Sequence, residues 1–316
     1  GIANPLVGEE DRNILTGGDG DDIVVSAGFG NYIYGDAGDD TLISIGAANL
    51  INGGDDNDTI DVIGAANYVS GGTGDDTIDV SGAANLIYAG SGNDDVTVSG
   101  DYNLIDGGDG NDRLTSTGDN TILAGAGNDV VDVAGSYNWV EGGAGNDHIT
   151  ASGGVKIVNA GDGNDTVLVS GGYSSADGGA GDDTIIGTGY ANDLMGGAGN
   201  DVLVGSGNSS YLEGGSGDDV MIGGAGSDTY IFNLGDGSDV ISDMGGSDVL
   251  ELRGFDWNIF DITASKADDG SFFNLLFSEG SNVCGDVTLD LVEGNMLDTL
   301  RLGDFTEFSM QALYDG

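Results

Sequence analysis

The sequence is nearly devoid of proline, cysteine and positive charge. It has one proline, Pro5, and one cysteine, Cys284. A single cysteine excludes a disulfide framework. A single proline, with no three-residue glycine period, excludes a collagen helix. Only 6 residues are Lys or Arg against 55 Asp or Glu, and the formal net charge is −49. With no basic patch, such a polyanion repels nucleic-acid phosphate and an anionic membrane surface. No apolar run approaches the roughly 20 residues of a membrane span. The opening Gly-Ile-Ala-Asn-Pro-Leu has neither the basic nor the apolar region of a cleavable leader.

Glycine and carboxylate are abundant instead, with 63 glycines in 316 residues. Apolar residues make up 38% of the chain, too many for a chain held open by charge alone. Their spacing shows an internal repeat. Gly17-Gly18-Asp19-Gly20-Asp21-Asp22-Ile23-Val24-Val25 has the form G-G-x-G-x-D-x-U-x, with U apolar. Further copies start at Gly35, Gly53, Gly71, Ala89, Gly107, Ala124, Gly142, Ala160, Gly178, Gly196 and Gly214, twelve in all, spaced by 18 residues with one step of 17. Between them lies a second nine-residue unit, such as Val62-Ile63-Gly64-Ala65-Ala66-Asn67-Tyr68-Val69-Ser70. It keeps Gly third, Asn sixth and an apolar residue eighth, and it lacks the Asp.

Each half of the 18-residue coil has six turn-forming residues and then three strand residues. Gly allows the positive φ that a tight turn needs. The middle strand residue faces one way and its neighbours the other. That middle position is Val24, Ile33, Leu42, Ile51, Ile60, Val69, Ile78, Ile87, Val96, Ile105 and Leu114, and β-branched side chains suit it. The pattern predicts a solenoid of two facing parallel sheets with this column as its core.

Stacking the turns puts Asp22, Asp40, Asp58, Asp76, Asp94, Asp112, Asp129, Asp147, Asp165, Asp183, Asp201 and Asp219 in one line. Like charges at strand spacing repel unless cations lie between them. Carboxylates and the carbonyls of Gly-rich turns are all-oxygen donors, which suit Ca²⁺ with its six to eight ligands better than the strict octahedron of Mg²⁺. Zinc would call for His or Cys, and the chain has one of each. The expected carbonyl donors are the second and fourth turn glycines: Gly18, Gly20, Gly72, Gly74, Gly108, Gly110, Gly143, Gly145, Gly179, Gly181, Gly197, Gly199, Gly215 and Gly217. With one ion per gap, about eleven are expected in this row, and Asp228 and Asp239 add a few more near residues 205 to 242.

The nonapeptide, in this copy number, resembles the repeat of RTX proteins, the hemolysin-type calcium-binding family. The resemblance covers roughly residues 17 to 242, and the block Gly226 to Ile241 is similar to the usual end of such arrays. It implies an all-β fold: a right-handed parallel β-roll, or β-solenoid, of two facing sheets with 18-residue coils. It also implies a small β-rich C-terminal capping domain, secretion by a type I route and folding on Ca²⁺ outside the cell. Many family arrays carry the motif in every half coil. Here the opposite turns carry Asn31, Asn49, Asn67, Asn85, Asn103, Asn120 and Asn138 instead. The expectation is therefore ions on one edge and a metal-free Asn ladder on the other, interrupted at Lys156 and Ser174. The second edge regains a calcium motif at Gly223 to Asp228, and Asp56 departs from the usual Gly in the third copy.

Outward positions differ between the sheets. Beside the acidic turns they are mostly polar, as at Thr41, Thr59, Thr77 and Thr166. The other sheet carries Tyr32, Leu50, Tyr68, Leu86, Leu104, Thr121, Trp139 and Ile157 at coil period. This stripe is ordinary cross-strand packing or a docking surface for another domain or another copy of the chain. The residues proposed as that surface are Tyr32, Leu50, Tyr68, Leu86, Leu104 and Trp139.

No catalytic motif stands out, and the chain is expected not to be an enzyme. His148 falls in a strand slot with no nucleophile beside it, and Cys284 is expected to be a small buried hydrophobe. Asp pairs such as Asp21-Asp22 and Asp75-Asp76 recur throughout, whereas an active site occurs once.

The expected organisation is a lead-in over 1–16, the β-roll over 17–242 and a capping segment over 243–316. Strands are expected at 260–263, 272–277, 287–291 and 297–302, and a short helix at 309–314. Residues 1–16 are short for a cap, as in a chain cut from a longer protein. Two roles compete. One is a secreted, non-catalytic structural component of a surface layer, filament or adhesin. The other is a calcium-dependent folding and secretion module of a larger secreted protease, lipase, epimerase or toxin.

Overall fold

The computed structural model describes residues 5–255, 260–266, 272–279, 281–290, 297–302 and 307–310. The chain divides into two compact units, Gly1–Val158 and Asn159–Gly316, and the division falls within the repeat array. Apart from Met310, which is helical, every element among the described residues is a strand. No helix among them is long and apolar enough to cross a membrane.

In the first unit the strands alternate between two rows, each strand pairing in parallel with the next but one. One row runs Pro5–Gly8, Ile23–Phe29, Thr41–Ala47, Thr59–Ile63, Thr77–Ser81, Asp95–Ser99 and Arg113–Thr117. The other runs Ile14–Asp19, Tyr32–Ala37, Leu50–Asp55, Tyr68–Thr73, Leu86–Ser91, Leu104–Asp109 and Thr121–Ala126. The long strand Val130–Ala144 then joins both rows. The register is one coil, as in Leu42↔Ile60 and Ile51↔Val69. Side chains of one slot therefore stack on themselves. The predicted column from Val24 to Leu114 is buried throughout, with Val62, Val80 and Val98 beside it. β-branched aliphatics fit because each touches its equivalent in the next coil at strand spacing.

The turns impose a second constraint. On the Asn edge, a Cβ on Gly64 would collide with the carbonyl oxygen of Gly46, and Gly64 has φ of 149°. Close approach and backbone conformation both demand glycine there. Two residues on, Ala48, Ala66, Ala84 and Tyr102 hold left-handed φ of 55° to 62°, a conformation that costs non-glycine residues energy. The 17-residue step is absorbed at this edge. Gly100-Asp101-Tyr102-Asn103 is followed by Gly118-Asp119-Asn120, which lacks the left-handed residue. The Asp119 Oδ1 then accepts the N–H groups of both Ser136 and Tyr137.

In the second unit one row runs Thr166–Gly171, Thr184–Gly187, Val202–Gly205, Val220–Gly223 and Ser238–Ser242. The other runs Tyr173–Ala180, Ala191–Ala198, Ser209–Ser216, Thr229–Asn233 and Val249–Arg253. The rows continue past residue 242, because Ser238–Ser242 pairs in parallel with Asn282–Asp290 and Val249–Arg253 with Thr299–Leu302. Strand Phe272–Glu279 joins Phe260–Lys266 and Asn282–Asp290 as an antiparallel meander. The core turns aromatic here, with Phe277 5.2 Å from both Phe232 and Phe255, ring centre to ring centre. Strands therefore occupy all four expected places. Of the short helix expected from residue 309, Ser309 is still strand, in Glu307–Ser309 paired with Thr299–Leu302, Met310 is helical, and residues 311–314 lie outside the described residues. Cys284 is half-buried rather than a core residue.

These contacts give opposite expectations for two neighbouring substitutions. Gly64→Ala should lower the stability of the calcium-loaded chain by more than about 1 kcal/mol, through collision and φ strain together. Ala66→Gly should be neutral or stabilising by up to about 1 kcal/mol. Thermal melts of the two variants check this, and equal melting temperatures would refute the turn argument.

Candidate metal-binding row

Each nonapeptide turn brings its sixth residue to the buried side. The carboxylates of the row are 1–2% exposed from Asp22 to Asp219. In the first unit each backbone N–H in the row donates to the Oδ1 of the next Asp. The distances are 2.7 Å for Asp22 to Asp40, 2.9 Å for Asp40 to Asp58, 2.8 Å for Asp58 to Asp76 and 2.7 Å for Asp76 to Asp94. The ladder continues through Asp112, Asp129 and Asp147 at 2.7–2.9 Å. In the second unit it links Asp165, Asp183, Asp201, Asp219 and Asp239 at 2.7–3.1 Å.

The other carboxylate oxygen is what calls for a ligand. Oδ2 of Asp40, Asp58, Asp76, Asp94, Asp112, Asp129, Asp183, Asp201, Asp219 and Asp239 is buried and accepts no hydrogen bond. In the Gly-first copies it lies close against the first turn glycine. A Cβ on Gly53 would strike both Asp58 Oδ2 and the carbonyl oxygen of Gly71, and the same holds at Gly71, Gly107, Gly178 and Gly196. Ala89, Ala124 and Ala160 set a buried methyl at that position. The second and fourth turn carbonyls run along the row. Gly72 and Gly74 aim theirs at the α-carbons of Gly90 and Gly92, and Gly179 and Gly181 do so at Gly197 and Gly199. The second and fourth carbonyls thus stack coil on coil, while the carbonyls beside the carboxylates are those of first-position residues such as Gly71 and Ala89. Asp36 and Asp56 keep left-handed φ of 80° and 77° in slots usually glycine, so the turn survives both departures.

The Asn edge has the same geometry and the opposite chemistry. The N–H of Asn31 donates to Asn49 Oδ1, and so on to Asn138, at 2.8–2.9 Å. Each amide also brings protons. Nδ2 of Asn67, Asn85, Asn103 and Asn120 donates to the carbonyls of Gly46, Gly64, Gly82 and Gly100. Lys156 is fully buried in this column, and its Nζ donates to Gly135 O in the place of such an amide. Burial lowers its pKa, against the pull of Asp119. An Asn needs no ion here, whereas an Asp in the equivalent place does.

A further ladder at the fifth turn position is absent from the sequence argument. There the N–H of each coil donates backward, as from Asp39 to Asp21 and from Asn93 to Asp75. In the second unit Asn200 donates to Asp182 and Asp218 to Asn200. The signal was present, since every copy has Asp or Asn in that slot.

Without a cation, the buried row holds protons. Burial is the main cause, opposed by the backbone N–H bonds and reinforced at most sites by neighbouring carboxylates. It pushes Asp58, Asp94 and Asp183 up to about 7, Asp76, Asp112 and Asp219 to about 6, and Asp239 to about 8. Buried carboxyl oxygens lacking donors fit a hard cation such as Ca²⁺.

Stacked parallel coils with a buried carboxylate at each nonapeptide turn define a metal-binding parallel β-roll. The profile of the RTX calcium-binding nonapeptide repeat matches in eleven segments between residues 3 and 254, among them 3–33, 64–96, 133–167, 195–230 and 234–254. The chain belongs to this family, and Ca²⁺ is the ion its repeats bind. No curated protein matches the chain detectably.

Two outcomes follow. A carboxyl whose pKa rises on folding stabilises the ion-free fold below its unfolded pKa, and that stability is lost as pH rises through the folded value. The ion-free fold should therefore weaken between about pH 4 and 7, which circular dichroism in calcium-depleted buffer at pH 5 and 8 would show. Equal strand content at both values would refute it. Asp58→Asn should stabilise the ion-free chain and weaken calcium binding, a reversal of sign readable from melts with and without calcium.

Proposed function

We propose that the chain is a secreted, non-catalytic structural component that folds on calcium outside the cell and assembles with copies of itself into a surface layer, filament or adhesin. The observation that carries this reading is the outward stripe of the first unit. Tyr32, Tyr68, Leu86 and Trp139 are 41–47% exposed, and Leu50 and Leu104 are half-buried beside them. All six lie on one continuous parallel row, in register. The row also includes Ile14, 74% exposed. A contiguous apolar strip is unusual on a monomer and common at interfaces. Here it lies on a chain whose charge would otherwise keep copies apart.

The strip is interrupted once. Over the shortened coil, Asp119, Asn120 and Thr121 line an open hollow of about 820 Å³ with Tyr102, Tyr137, Trp139 and Ile157 among its other lining residues. A neighbouring surface can seat a side chain there.

Calcium-dependent folding supplies the route. Extracellular modules bind Ca²⁺ at about 10⁻⁴ to 10⁻³ M. At cytosolic levels the acidic rows repel and the chain stays extended, which is the state a type I exporter accepts. Binding and folding then occur together outside.

Light scattering with chelator and then millimolar calcium tests the assembly. Particles that grow with calcium and shrink with chelator are expected, and Tyr68→Ser with Trp139→Ser should reduce them at unchanged strand content. A chain that becomes a compact monomer on adding calcium, with no larger particles, would sink the assembly reading and favour a folding module of a larger secreted enzyme or toxin.

A further inference from the structure

We propose that Asp228, Asp243 and Asp248 form a separate site for one calcium ion in the second unit, on the edge opposite the stacked Asp row. Asp228 and Asp248 are fully buried, and Asp243 is 8% exposed. One carboxylate oxygen from each lies within 4.8 Å of the other two. No Lys or Arg among the described residues forms an ion pair with any of them.

The existing hydrogen bonds hold the three carboxylates in place and leave one oxygen over. Asp228 Oδ1 accepts the N–H of Ser210 at 2.7 Å, and its Oδ2 accepts the N–H of Gly224 at 3.0 Å. Asp243 Oδ2 accepts the hydroxyl of Tyr230 at 2.6 Å, and its Oδ1 accepts the N–H of Gly245 at 2.5 Å. Asp248 Oδ1 accepts the N–H of Asp228 at 2.9 Å, whereas its Oδ2 is buried and receives no N–H or O–H, and the Asp248 side chain interacts with the Asp243 carboxyl. Three carboxylates this close, away from water, carry a charge that only a cation or bound protons offset. A cluster of oxygen donors alone selects a hard ion over zinc.

This site differs in construction from the repeat. Asp243 stands outside the nonapeptide pattern, and Tyr230 occupies a core strand slot from which its hydroxyl reaches Asp243. The site also has a clear place in the fold. The second-edge column changes from Asn192 to Ser210 and then to Asp228. An ion here would tie Thr229–Asn233, the turn after Ser238–Ser242 and the start of Val249–Arg253 together. The inference rests on the chain binding calcium, not on its assembly.

Native mass spectrometry of the full chain in saturating calcium tests it. Asp243→Asn and Asp248→Asn should each bind one ion fewer than the parent while keeping its strand content. In a second measurement terbium replaces calcium and is excited through tyrosine. Tyr230→Phe should lose a share of the sensitised emission at unchanged ion number, because the Tyr230 hydroxyl touches a ligand. An unchanged ion count in both folded Asn variants overturns the site. Should those variants not fold, unchanged emission from Tyr230→Phe overturns it. A parent chain that binds no calcium overturns this site and the family's calcium chemistry together.

Discussion

The structure depends on one buried oxygen per coil that has no proton to meet. Both edges place a planar side chain at the same point of the turn, and both use its first oxygen to hold the previous coil's N–H. They part at the second atom. On the Asn edge it is an amide nitrogen that donates to a glycine carbonyl. On the Asp edge it is an oxygen among other acceptors. Two unit charges at strand spacing, about 4.8 Å apart, repel by about 3.5 kcal/mol at an effective dielectric near 20. Over only a few gaps of the row, that term already matches the whole stability of an ordinary domain, about 5–15 kcal/mol. One edge of the roll is therefore self-sufficient, and the other is conditional on its solvent.

That asymmetry accounts for the rest of the architecture. Strands of mostly four to eight residues with one or two inward aliphatics each give a thin core, set against the entropy of ordering so much glycine. The Asn edge and the Val and Ile columns supply the unconditional part. The Asp row supplies the conditional part, because its buried carboxylates need bound cations or protons. Lys156 shows the same logic within the chain. Its ammonium takes the donor position of an amide, and the edge keeps a proton source where the sequence lacks an Asn.

Much of this was legible in the sequence because the repeat is strict. The period gave the coil, the eighth residue of each unit gave the core, and the contrast of Asp with Asn gave the two edges. Three features were not legible. The fifth-position ladder looks like ordinary polar turn sequence, since Asp and Asn are common there for several reasons. The continuation of both rows into 282–290 and 299–302 was hidden because those strands are separated from their partners by a meander rather than by one coil. The grouping of Asp243 with Asp228 and Asp248 has no period, and only the fold brings it about.

The two turn ladders run in opposite senses. Inner N–H groups donate forward to the next coil, and outer ones donate backward to the previous coil. Within each unit, an interior coil thus gives and receives at both neighbours. For the gene, length becomes an almost free variable. Duplicating or deleting eighteen codons in frame adds or removes one coil with its bonds complete. The 17-residue step shows that even an imperfect event can be absorbed at a turn. The dimensions of such a roll can therefore drift by unequal recombination while its chemistry stays fixed, and selection can adjust its reach without revising its design.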